Sequence, residues 1–253
     1  MNAVWNRALA LSLLTVGAVG GMSGAAWATP SPPTPIAIVN PSFEADTTPS
    51  GSNGTQDYWY IGSFTGWTSS GGGTYAGWFH PSTVEYPGGG NVNTAAIGIP
   101  DGSQVAFVNG GAQLGQILSS TWVSNAIYTL NFDVGRRADY AFPTTYKVEL
   151  LAGSHVVGTA SSPLTPSAGS FASTSLIVGS QLVADPYAGL PLGIALLASG
   201  PSNQQVNFDN LSLSVVTDAH VVAEPPGVAA LILGLLALAF VRGSNTEKKS
   251  KPR

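Results

Sequence analysis

The chain has 253 residues, of which nine are Lys or Arg and thirteen are Asp or Glu, so 9% are charged, against about a quarter in an ordinary soluble protein. With 31 Gly and 18 Pro it is too rich in chain breakers for a coiled coil or a helical repeat array. A formal charge of −4 leaves too few cations for a nucleic-acid face, and 44% hydrophobic content excludes charge-driven disorder.

Taken in chain order, Arg7 opens a positive leader ahead of a twelve-residue apolar run at 8–19. That run is short for a bilayer span. It is followed by Ala26-Trp27-Ala28, an A-x-A cleavage pattern, so residues 1–28 read as a secretory signal peptide. An uncleaved N-terminal anchor is the alternative. Residues 29–35 (TPSPPTP) form an extended, Pro-rich lead-in. Residues 36–217 then make one domain. Strands are expected at 36–39, 59–65, 75–79, 104–108, 126–134, 145–152, 155–160, 173–178, 192–198 and 206–216. The clearest is 126–134, where Tyr128, Leu130, Phe132 and Val134 alternate with Ile127, Thr129, Asn131 and Asp133. In 145–152, Tyr146, Val148 and Leu150 should point inward. Pro163, Pro166, Pro186 and Pro191 fall in connections. Many short strands with Gly-rich turns and no helical period spell an all-β antiparallel sandwich.

Residues 218–226 are a tether. Residues 227–241 (GVAALILGLLALAFV) are an uncharged apolar run at the short edge for a transmembrane helix. The tail 242–253 holds five of the nine cations and is expected to stay cytoplasmic. Between the tips, residues 29–223 carry three cations against eleven acids, so the exported part is acidic. There is no Cys, so core burial or a metal must do the work of disulfides.

The ending Ala223-Glu224-Pro225-Pro226, apolar helix and basic tail resembles the PEP-CTERM sorting signal of Gram-negative bacteria, with Ala223 where that family has its first Pro. The resemblance implies a sorting motif at Glu224 and Pro225 and an exosortase-type protease as partner. It also implies inner-membrane anchoring through the C-terminal helix during sorting, then a place at the cell surface or in the extracellular matrix.

The body carries a second resemblance, through Asn40-Pro41-Ser42-Phe43-Glu44, Gly66-Trp67, Gly77-Trp78, the run 100–106 (PDGSQVA), Leu114-Gly115-Gln116, the run 147–153 (KVELLAG) and the run 206–213 (VNFDNLSL). In this order they resemble the galactose-binding-like jelly roll of carbohydrate-binding modules, and in particular the exported domains related to the hapalindole-type cyclases. The resemblance implies a single antiparallel jelly-roll β-sandwich, flanked here by the signal helix and the transmembrane helix. It also implies a structural Ca²⁺ held by Glu44 and Asp209 with nearby backbone carbonyls. Ca²⁺ takes six to eight hard oxygens, which suits that set. Glu44 and Asp209 acting only as caps for backbone N–H groups is the alternative.

Ten aromatic or His side chains crowd 58–86. Aromatic faces stack on the apolar faces of sugar rings, so loop aromatics can form a carbohydrate platform. Trp67 and Trp78 are expected in the core, and Tyr58, Trp59, Tyr75 and Tyr86 are the exposed carbohydrate-binding candidates. Arg136 joins them, because Arg136, Arg137 and Asp139 leave the best strand together; a local ion pair is the competing reading. No G-x-S-x-G, H-E-x-x-H or P-loop is present, and His80, His155 and His220 are isolated. Asp101, Asp133 and Asp209 stay open as carboxylates that could pair in space. The expectation is a non-enzymatic protein that binds polysaccharide or exopolysaccharide and no nucleic acid. An exported glycan-active or cyclase-like enzyme is the first alternative, and a self-associating matrix protein the second.

Overall fold

The structure is a computed structural model and describes residues 31–46, 58–71, 75–87, 98–181 and 184–217. Twelve strands follow in chain order: β1 Thr34–Ile36, β2 Tyr58–Ile61, β3 Thr68–Ser70, β4 Ala76–His80, β5 Val105–Asn109 and β6 Gln113–Thr121. The rest are β7 Ala126–Arg136, β8 Thr145–Ala152, β9 His155–Ser161, β10 Ser170–Gly179, β11 Pro191–Ser199 and β12 Gln205–Thr217. They build two antiparallel sheets. One has seven strands in the order β10-β7-β12-β5-β4-β2, with β1 also on β12; the other has five in the order β3-β6-β11-β8-β9.

The expected two-sheet sandwich is what forms, and the side-chain period explains it. In β8, Tyr146, Val148, Leu150 and Ala152 are buried and alternate with half-covered neighbours. In β7, Tyr128, Leu130, Phe132 and Val134 enter the same core. The core between the sheets also takes Trp67, Trp78 and Trp122, each at most 2% exposed. Truncating a ring of this kind costs about 3–5 kcal/mol. Trp122 stacks on Tyr128 at 4.4 Å, and its indole N–H donates to Asp185 at 2.8 Å.

Several expectations shift. The first strand begins at Thr34 and includes Pro35, which can sit there because it pairs only the end of β12. Strands β3 and β6 are additions. In β6, Leu114, Gln116 and Leu118 are buried, but Gly115 and the Ser119-Ser120-Thr121 end disguise the alternation. Pro191 opens β11 rather than preceding it.

Alternation fails in one place, and that place matters. The last part of β7, all of β5 and the first part of β12 are buried on both faces. There the face of the seven-stranded sheet that looks away from the five-stranded sheet is itself covered, by the segments 81–87 and 98–104. A second small core forms under that cover from Phe79, Tyr86, Ile99, Val105 and Phe107, with Phe171 against it. The expected signal peptide, the PEP-like motif at Glu224 and Pro225, the transmembrane helix and the basic tail lie outside the described residues. Among those described, no helix is long and apolar enough to cross a membrane.

Candidate functional site

The outer face of β12 presents Gln205, Asn207 and Asp209, one every second residue, and all three are buried. They mark three stations along one surface: a cleft, a covered middle and an acidic clip.

The cleft, of about 210 Å³, is lined by Ile61, Tyr75, Phe107, Asn109, Arg137, Tyr140 and Gln205. Tyr75 and Ile61 stand at its mouth, 50% and 55% exposed. Asn109 ends β5 and pairs directly with Gln205 at the start of β12, so their two amides share the floor. Arg137 follows β7 with the parity of Asp133 and Gly135, which sends it to this face. Tyr140 is brought in by a short return of the chain, pinned where the Gln205 N–H donates to the Ala141 carbonyl at 2.8 Å.

Arg137 is 5% exposed and fully engaged. Its Nε and Nη2 donate to the two oxygens of Asp139 at 2.8 and 2.6 Å, and Nη2 also reaches Glu85 at 3.1 Å. Its guanidinium lies 5.0 Å from the Tyr140 ring and 5.5 Å from the Phe79 ring. Two carboxylates thus pair with one buried cation. Hydrogen bonding to Arg137 holds the Asp139 carboxyl below its ordinary value despite partial burial. Asp139 therefore stays ionised at neutral pH and is not a proton donor there.

In the covered middle, the Tyr86 hydroxyl donates to Asn207 Oδ1 at 2.9 Å, and Asn207 Nδ2 donates to the Ala106 carbonyl at 3.1 Å. Tyr86 stacks on Phe171 at 4.8 Å, and both rings rest over Gly135, where any Cβ would collide with them at 2.5–2.6 Å. Burial pushes the Tyr86 phenol well above its usual value, against the pull of Arg137.

At the acidic clip, the turn Asn40–Phe43 buries Phe43 against Trp67 and aims Glu44 at the segment 102–104. Asn40 and Phe43 both take positive φ, 52° and 65°. Glu44 Oε1 accepts the N–H groups of Ser103 and Gln104, and Gly102, at φ 65°, leaves room for the Glu44 carboxylate where a Cβ would clash at 2.4 Å. Asp209 Oδ2 accepts the Asp101 N–H at 3.0 Å, and Ser42 donates to Asp101 Oδ2 at 2.5 Å. Burial, reinforced by the nearby Asp101 and Glu44 charges, pushes the Asp209 carboxyl up to about 8.

The residues singled out in the sequence distribute as follows. Tyr75 is at the cleft mouth, half exposed as expected. Tyr86 is not exposed: at 1% exposure it is part of the second core, because the segment 81–87 folds back over Gly135. Arg136 does not line the cleft; its guanidinium lies 5.9 Å from the Phe142 ring, and Arg137 takes the cleft by strand parity. Tyr58 and Trp59 pair with His80 and Phe79 through the β2–β4 ladder. Trp67 and Trp78 are core residues, as expected. Glu44 and Asp209 meet at one clip, and Asp101, one of the acids left open as able to pair in space, joins them there through its backbone N–H. Asn109 and Gln205 are cleft residues that the sequence does not announce, since they become opposite partners only through the β5–β12 pairing. As a fit test for Ca²⁺, the clip offers the Glu44 carboxylate and the Asp209 carboxyl, whose charge is disfavoured by burial, while all four of their oxygens already accept a donor. Among the described residues no three His, Cys, Asp or Glu side chains have metal-site spacing, so a Ca²⁺ here would draw Glu44, Asp209 and backbone carbonyls.

A family model described as HpiC1 cyclase matches residues 34–214. The chain belongs to the HpiC1-like family. The chain is also similar to solved structures. A Stig cyclase, Fisc from Fischerella sp. TAU, in complex with (3Z)-3-(1-methyl-2-pyrrolidinylidene)-3H-indole, is 26% identical, covers 74% of this chain and 100% of its own, and has a TM-score of 0.59. A cyclase from Fischerella sp. TAU in complex with 4-(1H-indol-3-yl)butan-2-one is 25% identical, with 74% and 100% coverage and a TM-score of 0.58. A carbohydrate-binding module in complex with β-1,4-galactotriose is 11% identical over 69% of this chain and 94% of its own, with a TM-score of only 0.40. No curated protein matches the chain.

Proposed function

We propose that this protein binds a neutral carbohydrate at the cleft and does not transform it. The observation that carries the reading is the half-exposed Tyr75 ring standing over buried amides and an arginine whose charge is already balanced. An aromatic face accepts the apolar face of a pyranose, and the amides accept and donate to its hydroxyls. An anionic ligand would gain little from Arg137, which already serves two carboxylates. Of the two carboxylates beside the cleft, Asp139 is held low by Arg137, and Glu85 is buried and bonded to Arg137 and Ser82. Export, anchoring by the C-terminal helix and exosortase processing belong to the same proposal and would deliver this binder to exopolysaccharide. Ca²⁺ at Glu44 and Asp209 is proposed as a structural clip. Calorimetric titration with neutral oligosaccharides tests the reading. Binding that weakens in Tyr75→Ala supports it, and no binding of any neutral glycan refutes it.

A second reading, a cyclase-type enzyme, is favoured by family membership and by the indole compound bound to the 26% identical Fischerella cyclase. On that reading the same cleft takes an indole ring and a buried carboxylic acid supplies the proton. Binding of indoles together with turnover of an indole substrate would establish it over the first.

A further inference from the structure

Of Arg137, Gln205, Asn207 and Asn109, the buried polar side chains at and beside the cleft, only Asn109 has a buried side-chain oxygen without a partner. Asn207 accepts from the Tyr86 hydroxyl at 2.9 Å and donates to the Ala106 carbonyl at 3.1 Å. Gln205 Oε1 takes Arg137 Nη1 at 3.5 Å, and Gln205 Nε2 donates to Asn207 Oδ1 at 3.4 Å. Arg137 is held by Glu85 and Asp139. The exception is Asn109. It is 6% exposed, it lines the cleft, and its Oδ1 has no hydrogen-bond partner.

The backbone around it is fully committed. The Asn109 N–H donates to the Tyr75 carbonyl and its carbonyl accepts from the Ala112 N–H, both at 2.9 Å. The ladder that positions Tyr75 thus also fixes the Asn109 main chain, and only its side-chain amide can turn toward a partner. A buried acceptor left unpaired is costly in a folded protein and rarely tolerated without a reason. Here it sits beside the cleft that Tyr75 overhangs.

We infer that Asn109 Oδ1 is the specificity-determining acceptor of the cleft, receiving one neutral O–H or N–H donor from the edge of a ring whose face packs at Tyr75. This rests on the reading of the cleft as a ligand site and deepens it by naming the group recognised. A carbonyl-type oxygen accepts only, so a ligand that offers a carboxylate or a bare ether oxygen at this point is rejected. A sugar hydroxyl and an indole N–H share the required chemistry.

The test uses wild-type protein and Asn109→Leu, which keeps the volume and removes the acceptor. The probes are gluco-, xylo- and galacto-oligosaccharides, monodeoxy versions of whichever binds, and 3-methylindole with its N-methyl derivative. The expected result is binding by wild type that falls about tenfold or more in Asn109→Leu. The melting temperature of the ligand-free variant should hold or rise by about 2–4 °C, since an unpaired acceptor has been removed. On wild type alone, one monodeoxy sugar, or the N-methyl indole, should bind about tenfold more weakly than its parent, whether or not the variant folds. Sugar arms that respond identify a hydroxyl as the donor, and indole arms that respond identify a ring N–H. Equal affinity of wild type and a folded Asn109→Leu overturns the assignment of Asn109. So does a set of deoxy or N-methyl analogues that all bind like their parents. Failure of wild type to bind any probe overturns the cleft reading itself.

Discussion

Gln205 and Asp209 lie four residues apart on one face of β12, yet they occupy opposite electrostatic surroundings. At the Gln205 end, the buried cation Arg137 is matched by Glu85 and Asp139 at 3.1 and 2.6 Å. At the Asp209 end, Glu44, Asp101 and Asp209 meet with backbone N–H groups, and no ion pair reaches them among the described residues. The consequence is a pair of opposite shifts: Asp139 is held below its ordinary value, while Asp209 is pushed up to about 8. With two carboxylates on one guanidinium, the cleft has no spare positive charge, which suits a ligand without an anionic group. Uncompensated acid leaves a place where a proton or a cation settles.

The largest expected effect comes from breaking the compensated end. Arg137→Met leaves Glu85, with a side chain only 4% exposed, without its counter-charge. It should cost about 3–5 kcal/mol in urea unfolding at neutral pH. Adding Glu85→Gln should restore much of that loss. A single-variant cost under about 1 kcal/mol would mean that the Arg137 network is not desolvated as described.

The next effect is a pH slope set by the acidic end. Asp209 keeps its proton in the folded protein up to about pH 8, whereas in the unfolded chain it ionises near pH 4. The folded state therefore holds more protons between those values. Stability in EDTA should fall as pH rises through that window and level off above it. Asp209→Asn should flatten the slope, and added Ca²⁺ at pH 8 should raise the melting temperature of wild type. A melting temperature unaffected by Ca²⁺ and by its thorough removal would dismiss the Glu44–Asp209 metal clip, and a slope that survives in Asp209→Asn would place the titration elsewhere.

The sandwich was legible because β8 and the first part of β7 bury every second side chain, which gives each of them one face toward the core. Its outer site was less so, for identifiable reasons. Arg136 and Arg137 are neighbours with similar chemistry; counting by twos from Asp133 through Gly135 selects Arg137, and that parity was available in the sequence. Tyr86 lies between Glu85 and Pro87 in a segment without periodicity, and nothing local says that its ring will stack on Phe171 over Gly135. Glu44 and Asp209 come together only through the fold, so family resemblance could pair them while spacing could not. Asp101 joins them through its backbone N–H, a contact no side-chain pattern announces. Asn109 is hidden for a related reason: an Asn before two Gly residues reads as a turn signal, and its burial depends on Gln205 from a strand almost a hundred residues later.

The smallest expected effect on stability is at the cleft mouth. Tyr75 is half exposed, so Tyr75→Ala should change unfolding free energy by no more than about 0.5 kcal/mol. Its effect on binding should be far larger, about tenfold in affinity, because it removes the aromatic surface against which the ligand packs. Calorimetric titration of wild type and Tyr75→Ala with the same neutral oligosaccharide reads this directly. The account predicts measurable binding to wild type and at least about tenfold weaker binding to the equally stable variant; equal affinities, or no heat of binding from any neutral glycan, would contradict it.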